Sequence, residues 1–484
     1  MLNFNNWKKL FLGICSLALI AILNPFPPAQ AQTALSLQVL NRPLGITSRY
    51  IGATEGNVDF DIRDLEDLGI NTYRIYGGMS RWEASDDDGR YGTPAIAQIK
   101  ANPDLINWEW WDKIMSEPPQ NSDYWWSGPV DEVWTGNAET LFSDLKKAHI
   151  RPVLTIRNTD PGWNPPWALQ LNPPRTEADW NEWWEHVFAT VYWLNVRHDY
   201  QVDEFEIHNE PDNREQGWGG TQEDYFKLVE VAQDAIAHVY QTYLPERTYH
   251  IHAPVTVGGS SWVWFALQNI PDAFDSVNIH NYDADLTPYT QQVRKWMQQS
   301  DRADAPLWLG EWGTYQTNYN DFDLALNIVA NLIRTSQPGD SHIYGSHLFS
   351  MYDWGETFKG LIAADGTHQT AYYALRLAIR ALQGGKTVLD ITANLPENIE
   401  AIATQEDDTL YLLLVNRNTS DYPLQFDTSA LFSQGDVRVW EFSPEHLDKL
   451  TQSFTLHQGQ VKLNIAPQSA TVIALKNSAT FLTD

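Results

Sequence analysis

Two segments of the chain each carry an apolar, strand-like run to a glutamate. The first reads Phe205-Glu206-Ile207-His208-Asn209-Glu210-Pro211-Asp212, and the second Leu307-Trp308-Leu309-Gly310-Glu311-Trp312-Gly313. Carboxylates at the ends of separate strands of one barrel can face each other across a gap as wide as a sugar ring. One holds a proton and the other is ionised, which is the minimum equipment for breaking a glycosidic bond with an acid and a nucleophile.

Such a pair needs strands to carry it. From about residue 45 to 383, strand-like runs alternate with helix-like runs. The strand candidates are Tyr50–Ala53, Thr72–Tyr76, Pro152–Ile156, Phe205–Ile207, Tyr249–His252, Val277–Ile279, Leu307–Leu309 and His347–Met351. Thr221 with Asp224 caps an apolar-periodic helix running through Tyr240, and Thr287-Pro288 opens another. Thr176 with Asp179 begins a third, on which Trp180, Trp183, Trp184 and Val187 recur at helical spacing and read as core. Eight strands alternating with helices predict an α/β fold, a (β/α)8 TIM barrel. A doubly wound open sheet is the alternative, but the first strand lacks a glycine-rich phosphate loop after it.

The crossover after the second strand, residues 77–137, is too long for a plain loop and holds Trp82, Trp108, Trp110, Trp111, Trp125, Trp126 and Trp134. On a barrel it would lie on the active-site face and wall a cleft. Within it, Asp86-Asp87-Asp88-Gly89 reads as a solvated turn rather than a complete calcium loop. After Gly384-Gly385 the pattern changes to period two, as in Val437, Arg438, Val439 and in Val461 to Ile465. This predicts a β-sandwich domain over 386–484, and the strand Leu35–Val39 is placed to pair with it. The expected divisions are a leader at 1–31, a catalytic barrel at 32–385 and the accessory sandwich at 386–484.

The leader has Lys8 and Lys9, an apolar run from Leu10 to Leu23, prolines at 25, 27 and 28, and Ala29-Gln30-Ala31 as a cleavage pattern. The expectation is a secreted or periplasmic protein with no stable membrane insertion once the leader is removed; an uncleaved anchor is the alternative. The single cysteine, Cys15, lies inside that run, so the exported chain has no disulfide and no thiolate nucleophile. The 484 residues carry 62 acidic against 32 basic side chains, a net charge of −30, which repels phosphate backbones and makes nucleic acid an unsuitable partner. The load of 22 Trp and 21 Tyr suits both core packing and stacking on pyranose faces, so the expected partner is a carbohydrate.

These motifs resemble those of the clan A retaining glycoside hydrolases, family 39 above all, with families 5 and 30 as near alternatives. The specific part of the resemblance is short. Asn209-Glu210 at the end of the fourth barrel strand resembles the acid/base motif of the clan, and Glu311 at the end of the seventh resembles its nucleophile. The resemblance also implies an arginine, Arg74, beside the nucleophile, and a tyrosine, Tyr282, donating to it. Trp354 would lie under the sugar, and Asn209 would bond the sugar 2-hydroxyl. His208, His280 and Trp312 complete the expected substrate-facing set, although His280 reads equally well as a packed, hydrogen-bonded histidine. In those roles Glu210 must keep its proton and Glu311 must lose it. A retaining pair would stand about 5–5.5 Å apart.

Two other classes compete. A metal-dependent barrel hydrolase could use His250, His252, His280 and Asp353, but the first strand lacks a His-x-His and the fourth lacks a bridging lysine. A carbohydrate-binding protein on an inactive barrel would explain the aromatics but not the retained glutamate pair. No cofactor and no metal are expected.

Overall fold

The structure, a computed structural model, describes residues 34–54, 61–82, 94–117, 137–157, 172–214, 218–313, 320–353 and 360–477. The leader with Cys15, the Asp86–Gly89 turn, Trp125, Trp126, Trp134 and Trp354 lie outside the described residues. After the first strand, β1 (Leu35–Ile46), come β2 (Tyr50–Thr54), β3 (Thr72–Gly78), β4 (Arg151–Arg157) and β5 (Glu204–Ile207). They are followed by β6 (His250–Val257), β7 (Ser276–Asn281), β8 (Leu307–Trp312) and β9 (Gly345–Phe349). Strands β2 to β9 form a closed barrel in chain order, and β2 pairs in parallel with β9 to complete it. The runs are short and almost wholly buried because helices cover them outside and side chains fill the interior, as parallel strands require.

The helices begin where their caps predict. Thr221 accepts from the Asp224 N–H and Thr176 from the Asp179 N–H, each in a reciprocal capping box opening Gln222–Tyr243 and Glu177–Tyr192. Trp183 and Trp184 are buried on the second of these helices. The described part of the long crossover packs elsewhere than on a cleft wall. Its Trp108 stacks on Tyr192, Trp111 packs against His186, and Asp112 accepts from Trp193. These residues bury apolar area against the outer face of helix Glu177–Tyr192, so the described tryptophans of the insertion serve the core. Among the described residues, no helix is long and apolar enough to cross a membrane.

The second domain adds β10 (Thr387–Ala393), β11 (Ile399–Glu406), β12 (Thr409–Asn416), β13 (Tyr422–Asp427), β14 (Gln434–Ser443), β15 (His446–His457), β16 (Gln460–Ile465) and β17 (Ser469–Asn477). With β1 they make one nine-stranded sheet, ordered β15-β14-β17-β12-β11-β10-β1-β13-β16. The sheet bends until its end strands β15 and β16 touch, which encloses Leu37, Leu412, Phe426, Val437 and Val461 in a core of its own. The segment expected as 32–385 therefore gives its first strand to this sheet, antiparallel to β10 and parallel to β13, and the barrel chain proper starts at Tyr50.

The other face of the central strands meets the barrel. Leu413, Val415, Phe442 and Val472 join the barrel's apolar cluster, and Phe442 stacks on Phe322. Asp448, whose side chain is fully buried, accepts from Arg376 at 2.6 Å and Arg380 at 2.7 Å, both on the last barrel helix, Thr370–Leu382. Replacing Asp448 with Ala leaves two guanidinium groups facing each other without their acceptor. The unfolding midpoint should fall by the equivalent of about 1–3 kcal/mol, discounted for the partly exposed arginines. Turnover per folded molecule should be unchanged, as checked by denaturant titration beside an activity assay.

Candidate active site

Residues that alternate along a strand share one face, and only the inward face of a closed barrel reaches its axis. Arg74 and Tyr76 on β3, Glu206 on β5, Asn278 and His280 on β7, and Glu311 on β8 converge inside the barrel towards the C-terminal strand ends. Glu311 gets there through a register shift. Ile279 pairs with Leu309, but the next residue, His280, pairs with Glu311, so Gly310 is the extra residue of a bulge. Asn278 accepts from the Gly310 N–H at 2.7 Å, and any Cβ on residue 310 would collide with that amide. Glycine at 310 is thus what lets a bulge place the carboxylate opposite His280.

Glu210 is carried by a tight turn after β5. His208 and Glu210 both adopt left-handed backbone, with φ of 68° and 46°. That costs on the order of 1 kcal/mol each for residues other than glycine. Local bonds hold the turn in place. The Asn209 N–H donates to His208 Nδ1 at 2.8 Å, and Asn213 donates its backbone N–H to the Glu210 carbonyl at 2.9 Å. Trp218 packs edge-on against the His208 ring, and the Tyr225 hydroxyl donates to the Ile207 carbonyl at 3.0 Å.

Arg74 is completely buried and uses all three nitrogens. Nε donates to Glu206 Oε2 at 2.5 Å, Nη1 to Glu311 Oε1 at 2.5 Å, and Nη2 to Asn209 Oδ1 at 2.9 Å. Glu206 is fixed in turn by Thr155 at 2.7 Å and by the Asn278 amide at 2.5 Å. Glu311 accepts at both oxygens: Tyr76 donates to Oε1 and Tyr282 to Oε2, each at 2.5 Å. His280 Nδ1 lies 2.9 Å from Glu210 Oε1 and 3.5 Å from Glu311 Oε2.

Burial works against an ionised Glu311. The charges of His280 and Arg74, with the hydroxyls of Tyr282 and Tyr76, outweigh it and hold the carboxyl well below its ordinary range, at about 2. Burial also works against a charged His280. Glu311 and Glu210 overcome it and raise the imidazole above its usual value, while Arg74 opposes them. The close contact between His280 and Glu210 requires a proton between them, either on the ring or on the carboxyl. One oxygen of Glu210, one of Glu311 and a His280 ring nitrogen all lie within 4.8 Å of one another. An inverting pair stands about 6.5–9.5 Å apart to admit a water.

Comparison with known proteins agrees with this architecture. No family model matches the sequence. A β-xylosidase of Caldicellulosiruptor saccharolyticus is 21% identical over 310 residues, which is 58% of this chain and 61% of that protein. The alignment thus spans about three fifths of the curated relative's length. Among solved structures, a glucosidase from Croceicoccus marinus superposes with a TM-score of 0.67 at 14% identity, covering 93% of this chain and all of that one. A family 30 endoxylanase from Clostridium papyrosolvens gives 0.62 at 14% identity, covering 91% of this chain and 100% of its own. A family 39 β-xylosidase from Caulobacter crescentus gives 0.61 at 16% identity, covering 92% and 100%. The chain has the fold of the clan A glycoside hydrolases.

Within that fold, the structure brings Arg74, Asn209, Glu210, Tyr282 and Glu311 together. His280 is also at the centre, but it is fully buried and bridges the two carboxyls, so it is not a wall for substrate. His208 is equally buried and supports the Asn209 turn, which corrects its expected substrate contact. Trp312 is buried and packs in the barrel's apolar cluster. The alternative histidine ligands are dispersed. Strand β6 runs on to Val257 past a bulge that accommodates Pro254, which leaves His250 and His252 at its start, bonded to Glu204 at the opposite barrel end. Asp353 accepts from the Gly360 N–H and from Gln369 in a turn after β9. Tyr76, Glu206 and Asn278 were not foreseen. The signal for Tyr76 and Asn278 was the two-residue alternation that places each beside an inward-facing Arg74 or His280.

The spacing of Glu210, His280 and Glu311 would let a cation bridge them. The donor set does not suit one. His280 Nδ1 is engaged with Glu210, both Glu311 oxygens already accept, and the Arg74 guanidinium supplies the positive charge. Exhaustive dialysis against a chelator should therefore leave the rate of hydrolysis unchanged, and addition of divalent cations should not raise it.

Proposed function

We propose that this protein is a retaining glycoside hydrolase that cleaves O-glycosidic bonds of an oligo- or polysaccharide by double displacement. The observation that carries this reading is a pair of buried carboxyls, Glu210 after β5 and Glu311 on β8, that meet across the barrel with His280 between them. Arg74, Tyr76 and Tyr282 favour the ionised form of Glu311, whereas among the described residues Glu210 is bonded to His280 and the Asn213 amide.

In the first step Glu311 attacks the anomeric carbon. The bond to the leaving oxygen breaks with its electron pair, and Glu210 gives that oxygen a proton. The second step reverses the roles: Glu210 takes a proton from water as the water oxygen displaces Glu311 from the sugar. His280 lets the proton on Glu210 be held or shared along the 2.9 Å contact between the two steps. Asn209 has its oxygen bonded to Arg74, which leaves its amide N–H groups for the sugar 2-hydroxyl, a contact that strengthens in the transition state. All these groups come from the barrel, and the nine-stranded domain supports it from outside. The β-xylosidases among the similar proteins favour a β-linked substrate. The basic start, apolar run and small-residue site in the first 31 residues favour action outside the cytoplasm.

Replacing Glu311 with Gly should lower hydrolysis by about 10⁴-fold or more without loss of fold, because the group acts in the chemical step. Azide added to that variant should restore part of the turnover and yield the α-glycosyl azide from a β-linked substrate. Glu210→Ala should keep its first step with an activated aryl leaving group that needs no proton, and azide should then yield the β-glycosyl azide. Anomeric analysis of the products reads both roles. Reversed anomers would exchange the two assignments, and full activity in both variants would place the chemistry elsewhere.

A further inference from the structure

Tyr76 has no place in the proposed steps, yet it touches the group on which they turn. It sits two residues after Arg74 on β3 and therefore faces the same way. Its hydroxyl donates to Glu311 Oε1 at 2.5 Å and lies 3.1 Å from Asn209 Oδ1. Its ring lies over the Arg74 guanidinium, 4.8 Å from carbon to centroid. Glu311 Oε1 thus receives both a guanidinium N–H and a phenol, while Oε2 receives a second phenol, that of Tyr282. A carboxylate aimed by Arg74 and one phenol would already be ionised. The second phenol stabilises that anion further.

We infer that Tyr76 is a positioning residue that works through Glu311 Oε1 to speed breakdown of the glycosyl-enzyme relative to its formation. The inference rests on the reading of Glu311 as nucleophile. A donor to a carboxylate oxygen stabilises the anion and does little for the neutral ester. During breakdown, the bond between the anomeric carbon and Glu311 opens and its electron pair returns to the carboxylate. Water supplies the new bond to carbon and gives its proton to Glu210. Negative charge grows on Glu311 in that step, so the Tyr76 hydroxyl lowers its barrier. During formation, the same charge shrinks, so the same bond slightly opposes attack. The depressed carboxyl of Glu311 accords with this, since a weaker base is a better leaving group.

Tyr76→Phe keeps the ring over Arg74 and removes the donor to Glu311. With an activated aryl glycoside, kcat should fall about tenfold, the loss of one hydrogen bond to a charged group. KM should fall with it as the intermediate accumulates, and a pre-steady-state burst of aryl alcohol should appear or grow. The acid limb of kcat/KM should move up by about one pH unit, because Glu311 now needs a higher pH to ionise. Incorporating 3-fluorotyrosine at position 76 gives a stronger donor on the same ring and should raise the breakdown rate, which keeps the idea testable if the Phe variant folds poorly. A rise in KM with kcat unchanged would make Tyr76 a substrate contact and overturn the proposal. An equal fall in both steps with a fixed acid limb would make it a packing residue and overturn it too. Failure of the Glu311 assignment would instead show in the azide products of Glu311→Gly, whatever Tyr76 does.

Discussion

A buried guanidinium bound to two carboxylates organises this molecule's chemistry. Arg74 has no solvent contact, and an uncompensated charge there would cost several kcal/mol. Glu206 cancels that charge and is itself held by Thr155 and Asn278. On its other side Arg74 binds Glu311, which the His280 charge also faces. Three strands, β3, β5 and β8, are tied at this point, so Glu311, the Asn209 turn and the barrel wall are positioned by one residue.

The barrel makes such a cluster possible because its geometry limits which side chains meet. Inward positions alternate, and one bulge at Gly310 moves Glu311 into register with His280. A second departure, the left-handed pair His208 and Glu210, swings the other carboxyl over the same spot. Both departures carry a local cost, and both occur where the two carboxyls must approach. The covering helices and the nine-stranded domain supply the burial that offsets those costs, with Leu413, Val415 and Val472 extending the barrel core and Asp448 clamping its last helix.

Much of this was legible in the sequence for specific reasons. The eight strands could be placed because each is a short apolar run between capped helices, and Thr176, Thr221 and Pro288 mark where helices begin. Glu210 and Glu311 stood out because each ends such a run beside a turn-forming residue. Contacts between distant elements were not legible. Nothing local shows that Tyr76 reaches across to β8, or that His280 lies between two carboxyls instead of facing a sugar. The tryptophans of the long crossover carry no mark of which surface they cover, and Trp108 and Trp111 turn out to bury helix Glu177–Tyr192. The strand Leu35–Val39 read correctly as a partner of the second sheet, but its parallel pairing with β13 follows from chain topology, not from its own pattern.

The central claim is that Glu311 becomes covalently bonded to sugar. A 2-deoxy-2-fluoro-β-glycosyl fluoride, with the sugar chosen from the best aryl glycoside substrate, slows breakdown more than attack and traps that ester. Peptide mass spectrometry of the inactivated protein should place a single fluorosugar on the peptide that contains Glu311, with none on the peptide that contains Glu210. Label on Glu210, or steady turnover of the reagent's parent glycoside with no ester on either glutamate, would contradict the account.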